Sequence, residues 1–137
     1  MQSTAPANSL ERDVGIMSLV GFAHLVSHFF QLILAPLFPW LREAFALSYA
    51  ELGLIMSALF TVSAVGQAIA GFIVDRWGAL LTLNCGLACL TVGTLMLATA
   101  NVYPALLVGA VLIGFGNAVF HPVDFWLINH KISIHRL

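Results

Sequence analysis

His24, His28 and Gln31 are spaced i, i+4, i+7, and Asn117, His121 and Asp124 repeat that spacing near the other end of the chain. On an α-helix each set forms a stripe along one face. Imidazole has an ordinary pKa of about 6.5, so it takes up and releases protons near neutrality. A carboxylate nearby can hold a proton or pair with a cation. The amides of Gln31 and Asn117 add hydrogen-bond donors and acceptors. The chemistry open to these stripes is proton exchange and contact with a polar substrate. Each histidine taken singly fits equally well as a packing residue bonded to a neighbouring helix, and Asp124 taken singly fits a solvated position at the membrane interface.

The surroundings of both stripes are apolar. The chain has 137 residues, 61% of them hydrophobic and only 8% charged, against roughly 25% charged in a soluble domain. Eleven charged side chains cannot cover a soluble surface of this size. The expectation is an all-α integral membrane protein with the lipid bilayer as its first partner. A net charge of −1 without a basic patch argues against nucleic acid. Cys85 and Cys89 lie four apart in an apolar run, where they are expected to pack as small apolar residues on one helix face. The N-terminus "MQSTAPANSLERDVG" lacks the basic start of a signal peptide, and the apolar run after it is too long for a signal core. Residues 1–12 are read as a disordered cytoplasmic tail, and 13–137 as the membrane domain.

A spanning helix needs about 20 mostly apolar residues, and four stretches qualify: about 14–40, 49–74, 79–100 and 104–129. Short connectors make neighbours antiparallel. Ser48 followed by Glu51 forms a candidate capping box for the second span. Pro104 sits at a helix start, where its missing N–H is harmless. Arg12, Arg76, Lys131 and Arg136 fall on one side and Arg42 on the other, which places both termini and the "DRWG" turn in the cytoplasm. Trp40 and Tyr49 then mark the outer interface, Trp77 and Trp126 the inner one.

The histidine stripes belong to the first and fourth spans. At 1.5 Å per residue, His24 lies roughly 15 Å from the cytoplasmic start of the first span, and Asn117 and His121 lie roughly 12–18 Å from the cytoplasmic end of the fourth. The stripes overlap in depth. A charged side chain at mid-bilayer costs about 2.5–3.5 kcal/mol on insertion scales, so both stripes are expected to face protein or a wet cavity. Pro122 removes the hydrogen bond to the Ala118 carbonyl and is expected to kink the fourth span, as a hinge or by freeing a carbonyl ligand. Gly114 and Gly116 allow close helix approach or bending.

In "GFIVDRWG" the residues Gly71, Asp75, Arg76 and Gly78 match the G-x-x-x-D-R-x-G signature between the second and third spans of the major facilitator superfamily. The chain resembles the start of that family's N-terminal bundle, and "FHPVDFWLINHKIS" is similar to the fosmidomycin-resistance-type efflux branch. Ala79 and Leu80 depart from the motif, which usually continues with basic residues. The resemblance implies a carrier that moves a small solute by rocking two helical bundles around a central site, lined by the first and fourth helices. It implies a gating role for Asp75, with Arg76 in the same cytoplasmic network.

Family members have about twelve helices, and four are expected here. The chain therefore reads as a partial carrier whose missing half, oligomer mates or host complex would complete it. The expected function is secondary transport of a small solute, proton-coupled efflux, in a bacterial inner membrane. The alternative is an accessory subunit of a larger membrane complex without transport of its own. No nucleophile–base pair, metal spacing or phosphate loop is present, and "GFGNAV" is too poor in glycine for a dinucleotide site. No enzyme activity, cofactor or metal is expected. The substrate is not readable from the residues.

Overall fold

Breaks beside Pro36 and Pro39 and beside Pro122 divide two of what would otherwise be four uninterrupted helices. The computed structural model describes residues 7–132 as six α-helices. They are α1 (Ala7–Leu32), α2 (Leu34–Phe45), α3 (Tyr49–Trp77), α4 (Ala79–Ala98), α5 (Tyr103–Ala118) and α6 (Phe120–Lys131). Four stretches are long and apolar enough to cross a membrane: Leu10–Phe45, Tyr49–Trp77, Ala79–Ala98 and Tyr103–Lys131. The protein is an all-α membrane protein, as its composition implied, and the described residues contain no strand.

The fourth span breaks at Val119, three residues before Pro122. Pro122 cannot donate to the Ala118 carbonyl, and the ladder resumes with Val123 N–H to Val119 O at 3.0 Å. The helix is interrupted where a kink was expected, although Val119 itself keeps right-handed helical dihedrals. The first span carries a break that the sequence reading did not anticipate. It falls at Ile33, between α1 and α2. Pro36 and Pro39 leave the carbonyls of Leu32 and Ala35 without their usual donors.

The first helix also starts earlier than expected. Residues 7–12, read as disordered tail, are the first turns of α1. Arg12 Nη2 donates to the Lys131 carbonyl at 3.0 Å, and Asp13 is buried. The Arg12 bond ties the start of the first span to the end of the fourth. Residues 1–6 and Arg136 lie outside the described residues. Cys85 is exposed and Cys89 half-buried on α4, and both are free.

The connectors follow the local rules. Ser48 Oγ accepts from Glu51 N–H at 3.2 Å, and Glu51 Oε2 accepts from Ser48 N–H at 2.8 Å, completing the capping box. Between α3 and α4 only Gly78 is non-helical, at φ 84° and ψ 159°. That region is open to glycine almost alone, and it explains why the signature needs Gly78. Pro104 lies in the first turn of α5.

The fourth span is the centre of the bundle, and its glycines explain why. A Cβ at Gly116 would lie 2.6 Å from the Gly86 carbonyl oxygen of α4. One at Gly114 would lie 2.6 Å from the Leu59 carbonyl oxygen of α3. The backbone of α5 is therefore wedged between α3 and α4, with no room for a side chain at either contact. Small residues at such crossings are the usual means of packing helices in lipid, where no hydrophobic force drives them together. Leu52, Ile55, Leu59, Leu90, Leu106, Ile113 and Phe120 fill the core around this seam. Helix α1 packs on the other side, against α5 and α6.

Candidate functional site

α1 and α6 meet along their polar sides. The His24 imidazole donates from Nδ1 to Asp124 Oδ2 at 3.1 Å. His28 Nε2 faces His24 Nε2 at 3.1 Å, and His28 Nδ1 faces Gln31 Oε1 at 3.1 Å. His121 completes the group: its ring centroid is 4.8 Å from that of His24 and 6.0 Å from that of His28. Five of the six stripe residues thus form one cluster, drawn from two spans far apart in sequence.

The pattern of donors and acceptors has a chemical consequence. Asp124 and the Gln31 oxygen are both acceptors, so both Nδ1 atoms carry protons in this orientation. Two neutral rings would then set two Nε2 lone pairs against each other. One extra proton on either Nε2 converts that repulsion into a charge-assisted hydrogen bond. The excess positive charge is balanced by the Asp124 carboxylate one ring away. When the proton leaves, turning the Gln31 amide presents its NH₂ to His28 Nδ1 and restores a matched neutral chain. The hydrogen-bond pattern thus has a matched form both with and without one extra proton.

Access comes from one side. The Asp124 side chain is only 11% exposed, whereas that of His24 is 40% exposed. His24, His121 and Asp124 line a groove of about 290 Å³, walled by Met17, Phe125 and Ile128. A larger hollow of about 640 Å³ lies at the other end of the molecule, beside Arg42, Glu43 and Tyr49, away from the histidines. The groove holds His24, His121 and Asp124, with His28 beside it, and is the candidate site.

Asn117 does not join the cluster. It is fully buried and donates from Nδ2 to Ser63 Oγ of α3 at 3.1 Å, leaving Oδ1 without a partner. Its expected stripe spans the break at Val119, where the helix no longer keeps the rotation that i, i+4, i+7 assumes. The Ser63 partner and the buried, unpartnered Ser27 hydroxyl were not singled out from the sequence. Buried serines on an apolar helix leave no pattern to read.

The signature residues lie apart from the cluster. Asp75 and Arg76 are exposed at the end of α3, and neither bonds another described residue. Gly71 is half-buried with open space where a Cβ would stand.

A bundle of apolar helices carrying one titratable, groove-lined cluster defines a polytopic membrane protein with a polar site. The Major Facilitator Superfamily profile matches residues 20–129. The chain belongs to the major facilitator superfamily. It is similar to the fosmidomycin resistance protein of Escherichia coli (strain K12), 27% identical over 120 residues, covering 88% of this chain and 30% of that protein. It is also similar to the uncharacterised MFS-type transporter YfnC of Bacillus subtilis (strain 168), 32% identical over 107 residues, covering 78% of this chain and 26% of that one. The chain thus spans about 30% or less of the length of these relatives. No solved structure matches it significantly.

Proposed function

We propose that this chain forms part of a secondary carrier that couples outward movement of a small solute to protons, with the groove between α1 and α6 as its polar site. Family membership supports transport. Efflux is the finer reading, supported by the name of the fosmidomycin resistance protein, since export produces resistance. The single observation behind proton coupling is the His28–His24–Asp124 chain, two links of 3.1 Å across two spans. His24 and His28 carry the proton, Asp124 balances its charge, and Gln31 senses its presence by amide orientation. His121 closes the group over the groove. Asn117 supports the wall of the site through Ser63 rather than touching solute. Gly71, Asp75, Arg76 and Gly78 form the gating turn, and Pro122 is the hinge on which α6 moves. The membrane is a bacterial inner membrane with both termini cytoplasmic, and no enzymatic step is involved.

The test is proton flux in liposomes containing the protein as the cell makes it. His24→Gln, His28→Gln and Asp124→Asn are each expected to lower flux at least tenfold. Unchanged flux in all three removes the site.

One observation favours a second reading. His28 and the groove open outward from the bundle, and imidazoles facing lipid are costly. Another polypeptide wall is required: the remaining carrier bundle, an oligomer mate, or a larger complex for which this chain is an accessory subunit. Purification in mild detergent separates these. Stoichiometric co-purification with a larger complex and no flux alone supports the accessory reading.

A further inference from the structure

We infer that the three histidines His24, His28 and His121 form a binding site for a borderline divalent transition-metal ion of the zinc class. Their ligand nitrogens all lie within 4.8 Å of one another. In a tetrahedral site with Zn–N bonds of 2.0–2.1 Å, ligand nitrogens stand about 3.3 Å apart. The His24 and His28 Nε2 atoms, at 3.1 Å, are already close to that separation. His121 reaches it by a small ring movement into the groove. Three neutral imidazoles with a fourth position open to water or solute suit zinc, and imidazole also suits copper and nickel.

The surrounding contacts are those of a metal site. Metal-bound histidine characteristically donates its other ring N–H to a carboxylate or carbonyl-type acceptor, which fixes the tautomer. His24 Nδ1 donates to Asp124 and His28 Nδ1 to Gln31, each at 3.1 Å. Both Nε2 lone pairs then face each other at 3.1 Å, an arrangement that a shared cation would satisfy. A metal ion takes the place of the proton, so metal and proton occupancy exclude each other. The pattern was not visible along the sequence because the third ligand comes from another span.

Binding is measured with Zn²⁺ by calorimetry on the whole protein in detergent, with any polyhistidine tag removed. One ion per chain is expected. His24→Gln, His28→Gln and His121→Gln should each weaken binding at least tenfold. Asp124→Ala, which removes only the supporting acceptor, should weaken it about 10–100-fold. Cys85→Ser, Cys89→Ser and His130→Gln should leave it unchanged. Affinity unchanged from the unmodified protein in all three histidine variants, or loss on removal of the cysteines, overturns the site. Because a histidine variant can misfold, Cu²⁺ paramagnetic resonance on the unmodified protein gives a second reading; fewer than two imidazole nitrogens on the copper also overturns it. A flux arm rests on the proton-carrier reading above: Zn²⁺ should block proton flux at the concentration that fills the site. Binding without inhibition keeps the metal site and removes the proton relay. Histidine-dependent flux without Zn²⁺ binding does the reverse.

Discussion

Ser27 and Ser63 are both buried hydroxyls, yet the same substitution should move stability in opposite directions. Ser63 Oγ accepts from Asn117 Nδ2 at 3.1 Å. Ser63→Ala leaves that amide unpaired beside an Oδ1 that already has no partner. Interhelical hydrogen bonds of this kind average about 0.6 kcal/mol in a membrane protein, up to about 1.7, so a loss of about 1 kcal/mol is expected. Ser27 Oγ has no partner to lose. Replacing an unsatisfied buried group with an apolar one is neutral or favourable, and Ser27→Ala should stabilise by up to about 1 kcal/mol. Unfolding in mixed micelles measures both; a loss of stability in Ser27→Ala would mean its hydroxyl is engaged after all. At this scale the sequence was partly informative. The costly residues His24, His28, Gln31, His121 and Asp124 stood out because lipid penalises them, and the structure gathers all five. Asn117 stood out for the same reason, but its partner Ser63 did not, because a serine can bond its own helix and carries little penalty.

Helices are positioned here by what lacks a side chain. α4 and α5 touch at two levels: a Cβ at Gly93 would lie 2.9 Å from the Gly109 carbonyl oxygen, and one at Gly116 would lie 2.6 Å from that of Gly86. Backbone atoms cannot swing away as a flexible side chain can. Gly116→Leu is therefore expected to separate the helices and abolish the monodisperse protein in detergent, whereas Gly53→Ala, with open space around it, should leave it intact. Gly78→Ala tests the turn between α3 and α4. At φ 84° and ψ 159° the substitution should cost about 1–3 kcal/mol, read as a lowered unfolding midpoint. Span positions, the capping box and the Pro122 break followed from residue spacing and proline chemistry. Helix rotation did not. These spans are apolar nearly all round, so hydropathy carries no phase to say which face is buried. The break at Ile33 was legible in Pro36 and Pro39 and was masked by the length of the apolar run.

The whole molecule places its most buried span at the centre and its most exposed span, the first, at the rim. The first span covers 36 residues from Leu10 to Phe45, about 54 Å if fully helical, against a hydrocarbon core of about 30 Å. It must tilt, bend or project. The break at Ile33 lets α2 bend away, and the Arg12–Lys131 bond holds the opposite end beside α6. Orientation follows from the same layout. One span, α3, separates Arg42 and Glu43 from Asp75 and Arg76, so these pairs lie on opposite sides of the bilayer whichever way the protein inserts. The excess of Lys and Arg at the Arg76 end predicts that this end is cytoplasmic. In a background of Cys85→Ser and Cys89→Ser, a cysteine at Glu43 should react with an impermeant maleimide added outside intact cells. A cysteine at Arg76 should react only after the membrane is opened. Labelling of both from outside would break the four-span layout itself. Reversal of the pattern would keep the layout and turn the groove over, placing the Asp124 end of the histidine cluster toward the outside.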